Sequence, residues 1–339
     1  MKRFILFTAV LLIFGAAVGV AEQATLINFT QLVADYPADD PVNHASTVVD
    51  YSSVAGSSFT DEQKREMRTS LAIQNWEVTL NSSASNVVNL ARSQVRPAPV
   101  REGERVSRYP GEVVLGVRVH FPTESNAAWA LIEPPFEIPA YSDPKVIADD
   151  GTISIPDGEQ GTGTQFDNFG VVKNVGVLRR LSAWVHGLNY PHGLSIILQD
   201  ESGDNQEIFM GYLDFNGWRE LVWENPNYIS EVRDRELRPR PLYPQLAPMR
   251  KLIGIRVYRD ASLIGGDFVT YIGEINVTYD EAVLELERDI NDEAVWGILQ
   301  AREQDRAEAE LNRLGNIQVL RYLERQKMDT TLDEANGQQ

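Results

Sequence analysis

Four histidines, His44, His120, His186 and His192, are the chain's whole supply of imidazole, and they bound its acid–base and metal chemistry. His186 and His192 stand six positions apart around Gly187-Leu188-Asn189-Tyr190-Pro191. A metal site needs imidazoles that face one another plus a further ligand. A strand end running into a proline loop matches no such spacing, and hydrogen bonding within the loop explains the pair better. Cysteine is absent, which removes thiolate zinc sites, redox pairs and thiol nucleophiles. No HExxH helix, GxSxG elbow or phosphate-binding glycine loop occurs. Gly161-Thr162-Gly163 lacks the third glycine of a dinucleotide fingerprint and reads as a turn. Asp200-Glu201-Ser202-Gly203-Asp204 lacks the closing Glu of a calcium loop and reads as a hairpin turn. Carboxylates number 49. A glycosidase holds two of them roughly 5–9.5 Å apart across a cleft, and nothing singles out a pair. No catalytic residue, metal or cofactor is assigned, and a secreted hydrolase is the weakest reading.

Three sets of side chains remain as candidates for binding. Trp184 and Trp218 lie in strand-like sequence. Exposed, they would stack on the C–H face of a sugar; buried, they would fill a core. Core suits Trp218, and both roles stay open for Trp184. Arg235, Arg238 and Arg240 make a basic stretch within a proline-rich loop, suited to an acidic partner or simply to solvent. Leu311, Leu314, Leu320 and Leu323 form a stripe at helical spacing that either folds back on its own domain or docks on another molecule.

The elements that would position these residues are mostly strands. Leu181, Ala183 and Val185 alternate with Ser182, Trp184 and His186, and Leu194, Ile196 and Leu198 repeat the period of two. Ser202-Gly203-Asp204-Asn205 then turns the chain back into Ile208–Leu213, an antiparallel hairpin. Val113, Leu115, Val117, Val119 and Phe121 predict another strand, and Ala128, Ala130 and Ile132 one more. The last strand carries Val269, Tyr271, Ile275, Val277 and Tyr279 on one expected face. About nine strands are expected between Ile73 and Tyr279. The fold class is mainly β: a jelly-roll (galactose-binding-like) antiparallel β-sandwich with a C-terminal helical extension.

Residues 1–21 read as a signal peptide, with Lys2 and Arg3 before an apolar run and Gly19-Val20-Ala21 at the cleavage site. No membrane span is expected after cleavage. Residues 22–72 read as an N-terminal arm with a helix over 61–71 opened by the capping box Thr60-Asp61-Glu62-Gln63. Residues 73–280 form the sandwich, beginning with a strand over 73–80. Residues 281–328 form the amphipathic helical segment, with Val283, Leu284, Leu286 and Ile290, then Val295, Trp296 and Leu299, as its first stripe. Residues 329–339 read as a disordered tail. The net charge of −18 argues against nucleic acid and anionic lipid as partners. Without disulfides, stability must come from the core.

In order along the chain, several stretches resemble the outer-layer (sheath) proteins of spirochaete periplasmic flagellar filaments. They are the signal peptide, Asn75-Trp76-Glu77-Val78, Leu181–Val185, Gly211-Tyr212-Leu213-Asp214-Phe215-Asn216-Gly217-Trp218, Ile253–Tyr258 and Tyr271-Ile272-Gly273-Glu274-Ile275. The resemblance covers most of the chain and rests on no chemical motif. It implies a non-enzymatic subunit in the periplasm that coats flagellin core subunits and contacts other copies of itself. The same central block is similar to galactose-binding jelly rolls, so a secreted carbohydrate-binding module, with a glycan as partner, is the alternative.

Overall fold

The structure, a computed structural model, describes residues 22–33, 47–103, 107–124, 126–140, 146–147, 153–154, 169–228, 243–244, 248–282, 289–290 and 292–336. Residues 1–21, the loop carrying Arg235, Arg238 and Arg240, Gly161–Gly163 and the stripe residues 283–288 lie outside the described residues.

The strands are β1 (Glu22–Asn28), β2 (Val48–Asp50), β3 (Arg68–Ser70), β4 (Glu77–Leu80), β5 (Gln94–Pro99), β6 (Val113–Phe121), β7 (Ala128–Glu133), β8 (Val146–Ile147), β9 (Ile153–Ser154), β10 (Val171–Lys173), β11 (Val175–Leu188), β12 (Gly193–Gln199), β13 (Asn205–Tyr212), β14 (Asn216–Glu224), β15 (Met249–Arg259) and β16 (Gly266–Glu281). Two six-stranded sheets carry the fold. The first has the order β14-β11-β16-β6-β5, with β1 beside β16; the second has β13-β12-β15-β7-β4, with β10 beside β15. Their pairings are antiparallel. β16 is long enough to hold β6 along Gly266–Ile272 and β1 along Glu274–Tyr279 on the same side.

Period-two sequence decides what faces inward. Leu115, Val117, Val119 and Phe121 of β6 meet Leu181, Ala183 and Val185 of β11, Leu194, Ile196 and Leu198 of β12 and Ala130 and Ile132 of β7 in one core. Each Val, Leu, Ile or Phe side chain among them contributes about 1.5–3 kcal/mol on burial. This is the antiparallel β-sandwich with a C-terminal helical extension that the alternation predicts. In β16 the single expected face is broken. Phe268, Thr270 and Ile272 point inward before the shift and Ile275, Val277 and Tyr279 after it. A register slip against β11 between Ala183 and Val185 accommodates the extra residue. Val269 and Tyr271 therefore face outward, because a bulge reverses the alternation.

The expected helix over 61–71 is shorter: α1 is Asp61–Arg65, with the capping box of Thr60 and Gln63 in place. Arg68–Ser70 is drawn off into β3 by pairing with β2. The expected strand over 73–80 begins with a single 3-10 turn, Ile73–Asn75, before β4. Trp76 closes that turn by donating its indole N–H to the Leu71 carbonyl at 2.8 Å. Helix α2 (Val87–Arg92) links the edge strands β4 and β5.

At the C-terminus, α3 (Asp292–Trp296) is separated from α4 (Ile298–Asn336) by Gly297 at φ +58°. Helix α4 runs past 328 because neither proline nor glycine interrupts it between Asn316 and Asn336. It folds back on its own chain. Leu314, 5% exposed, enters the main core, while Leu311, Val319 and Tyr322 pack on the small cluster of Tyr51, Ala55 and Met67. Arg321 pairs with Glu77 and Arg306 with Glu137.

Candidate functional site

Trp184 and His186 project from β11 on the side away from the core. The register sets them opposite Glu220 and Trp218 of β14, and His186 also opposite Tyr271 of β16. A crossing segment, Ser107–Glu112, covers part of this outer face. Its Tyr109 takes φ +56° and lies over Gly273, where a Cβ would come within 2.4 Å of the ring. The Tyr109 ring meets Trp218 edge-on at 5.0 Å, and His186 meets Trp218 at 5.3 Å. Arg108 sits 4.2 Å above the Trp184 ring and pairs with Glu274 at 2.9 Å. Burial pushes the Tyr109 phenol up to about 12 and lowers the His186 imidazole below its ordinary value. Both groups are neutral near pH 7 and meet their neighbours through ring faces and edges.

Beside this cluster lies a concavity of about 600 Å³ lined by Pro99, Arg101, His186, Trp218 and Tyr271. Its ring faces and single guanidinium suit a flat, polar-edged ligand such as a sugar ring. Trp184 and Trp218 are both half-buried on the outer face. The expectation that Trp218 belongs to the core is corrected: β14 places it on the side opposite Leu221, which points inward.

The two neighbouring histidines diverge. His192 points inward, 4.7 Å from Phe268 and 5.3 Å from Phe121. Burial, then the charge of Arg259, lowers its imidazole to about 4. Asp200 caps its hairpin, accepting from the Ser202 and Asp204 amides at 2.9 and 3.0 Å, as the turn reading predicts. His120 bonds Asp267 at 2.9 Å, and Arg118 closes the same carboxylate from its Nε and Nη2. That bonding, led by His120, holds Asp267 below its ordinary value. Among the described residues no group of three or more His, Cys, Asp or Glu is arranged to hold a metal ion.

The stripe leucines divide between two surroundings. Leu314 is used inside the chain, and Leu311 lies against Tyr51, Ala55 and Met67. Leu323 is half-buried, and Leu320 is 61% exposed on the outer side of α4, near the exposed Ile317. Val295 and Trp296 of α3 are exposed, as is Ile290.

Residues that sequence reasoning missed hold the helix in place. Lys251, 2% exposed, donates to Glu137, which also takes Arg306. Burial lowers the Lys251 ammonium. Burial alone would raise Glu137, but the two cations outweigh it and hold the carboxyl below its usual value. The signal was a lysine beside the apolar run Leu252–Val257. The aromatic cluster gave less, since Tyr109 arrives from a polar loop.

Comparison with known proteins gives one consistent direction. The family described as Flagellar filament outer layer protein Flaa matches residues 41–288. A flagellar filament outer layer protein of Spirochaeta aurantia is 47% identical over 333 residues, 98% of this chain and 95% of that protein. One of Treponema pallidum (strain Nichols) is 47% identical over 336 residues, 97% of this chain and 95% of that protein. One of Borreliella burgdorferi is 31% identical over 286 residues, 83% of this chain and 78% of that protein. Among solved structures, a carbohydrate-binding module of the β-sandwich superfamily aligns with a TM-score of 0.30 at 12% identity, covering 60% of this chain and 57% of its own. Another such module, solved with β-1,4-galactotriose, gives 0.27 at 11% identity, covering 62% of this chain and 90% of its own. Likeness at that level carries no argument about ligands.

Proposed function

The chain belongs to the flagellar filament outer layer protein family, and on that premise we propose that it is a non-enzymatic structural subunit of the sheath around periplasmic flagellar filaments. It would be held there by contacts to the flagellin core and to other copies of itself. The observation that carries this reading is the 47% match to a named outer-layer protein across 98% of the chain. The periplasmic placement is supported by the pattern of residues 1–21. No helix among the described residues is long and apolar enough to cross a membrane.

A sheath subunit faces a repeating lattice, so weak contacts add up through multivalency. Leu320 and Ile317 stand exposed on a helix held to its own chain by Arg306–Glu137 and Arg321–Glu77. They, with Leu323, are assigned to the partner surface; Leu311 and Leu314 are occupied within the chain. The basic loop of Arg235, Arg238 and Arg240 is assigned to an acidic partner surface. The test is sedimentation of filaments isolated from cells. The native protein should pellet with them, and Ile317→Ser combined with Leu320→Ser should lower the pelleted fraction severalfold without altering the β-sheet circular dichroism. Native protein that stays in the supernatant removes the reading.

A second reading is favoured by one observation, the concavity between Trp218, His186 and Tyr271. There the chain would hold a glycan displayed on its partner. Calorimetric titration with sugars should then saturate and be lost in Trp218→Ala; the absence of any saturable heat discards it.

A further inference from the structure

The sandwich has two lateral edges, and their chemistry is opposite. β4 and β5 end the two sheets on one side, and β13 and β14 end them on the other. The stretch from Glu77 to Arg101, which builds the first edge, contains Arg92, Arg96 and Arg101 and one acidic residue, Glu77, which is paired with Arg321. In a chain of net charge −18 that is a local reversal. Arg92 reaches only His120, at 3.4 Å, and Arg96 only Gln94, at 3.1 Å, so neither meets a carboxylate among the described residues. Helix α2 at this edge leaves Val87 85% exposed, and Val88 and Leu90 are exposed with it.

The opposite edge spans Asp200 to Glu224, which holds seven acidic residues and one cation, Arg219. Glu201, Glu207 and Glu220 are paired with Arg250, Arg256 and Arg180. Asp200, Asp204, Asp214 and Glu224 are not paired with a cation among the described residues. Apolar side chains stand exposed here too: Phe209 and Tyr212 on β13, 5.3 Å apart between ring centres, and Val222 on β14.

We propose that these two edges are the two halves of one contact between copies of this chain. The α2 corner of one copy, with Val87, Val88 and Leu90 flanked by Arg92 and Arg96, seats on the β13–β14 edge of the next. The proposal rests on the sheath reading and names its self-contact. Opposite charge steers the edges together and sets unlike edge against unlike, while like edges repel. Apolar side chains at both centres supply the area removed from water. The edges are separated by the width of a five-strand path, roughly 19 Å at 4.8 Å per strand. One two-fold contact therefore does not join both pairs at once. The contact is heterologous, and a heterologous contact that does not close on itself propagates, as a layer requires. Pro97 and Pro99 remove amide donors from β5, so side chains make the contact rather than a continuous sheet.

The absence of cysteine permits a direct test. Val88→Cys and Tyr212→Cys are introduced singly and together, filaments are isolated from cells carrying each variant, and a short bismaleimide is added. The double variant should give a ladder of dimers, trimers and higher species, and each single variant monomer only. An efficient dimer from either single variant would mean that like edges meet and would overturn the proposal. So would a double variant that pellets with filaments but gives no ladder, an outcome that leaves the sheath reading standing. A protein that fails to pellet overturns both. A second measurement uses charge. Arg92→Glu with Arg96→Glu, and separately Asp214→Lys with Glu224→Lys, should each cut cross-linking at least tenfold in the double-cysteine background. A 1:1 mixture of the two reversed proteins should restore it, because each reversed edge then meets its complement. Failure of the mixture to restore the ladder refutes the assigned pairing.

Discussion

Gly315 lies inside α4, where glycine costs about 1 kcal/mol relative to alanine. For a free helix, Gly315→Ala would therefore stabilise by that amount. The packing predicts the opposite sign. A Cβ at this position would lie 2.6 Å from Val54 Cγ2, 2.8 Å from its Cβ and 3.1 Å from its Cγ1. Val54 belongs to the short 3-10 turn Ser52–Ala55, and its branched Cβ has little freedom to give way. Restoring ordinary contact distances moves the helix by roughly 1 Å. That lifts Leu314 from the core and Leu311, Val319 and Tyr322 from Tyr51, Ala55 and Met67. Overpacking of this kind costs about 1–3 kcal/mol. Set against the propensity gain, undocking becomes easier by up to roughly 2 kcal/mol, a factor of up to about 30 in the opening equilibrium. Hydrogen exchange of the α4 amides measures that equilibrium and should quicken by this factor. Val54→Gly in the same chain removes all three clashing atoms, the Val54 Cβ included, and exchange should then return towards the native rate. Slower exchange in Gly315→Ala alone would show that the helix does not rest on Val54, and the docking argument would fail.

Arg259, 1% exposed, donates to the carbonyls of Pro122 at 2.5 Å, Glu124 at 2.7 Å and Asn126, gathering a loop without a carboxylate partner among the described residues. Arg259→Met loses three charge-assisted bonds but no longer buries a charge, for a net cost of about 3 kcal/mol in urea unfolding; an unchanged midpoint would refute that role. His192 supplies a pH dependence. Its imidazole is lowered to about 4 in the folded chain, against an unfolded value of about 6.5. The unfolded state binds the proton first, so stability is complete above about 6.5 and falls as pH drops towards about 4, by up to about 3 kcal/mol. His192→Phe should flatten that slope between pH 4 and 6.5, and a slope identical to the native one would exclude His192 as its source.

Local pattern carried much of this protein. The alternation in Leu115–Phe121 and Leu181–Val185 announced which side chains face inward, and the turn residues Asp200–Asp204 announced the hairpin. The capping box marked the start of α1 to the residue, though its end was lost to the pairing of Arg68–Ser70 with β2. These features depend on neighbours a few positions away, so a single sequence displays them.

Where Trp218 and Tyr271 face, whether the leucine stripe of α4 turns home, and what Arg259 and Lys251 hold were decided by tertiary structure. Tyr271 faces out because β16 slips against β11. Leu314 faces in because Val54, far off in sequence, offers a glycine-width gap. The basic and acidic stretches are both visible as composition, yet only strand order puts them on opposite edges of one body. Periodicity states the orientation of a side chain relative to its own strand or helix. Which strand lies alongside, and which surfaces stay uncovered, follows from the packing of segments a hundred or more residues apart, and that information is not local.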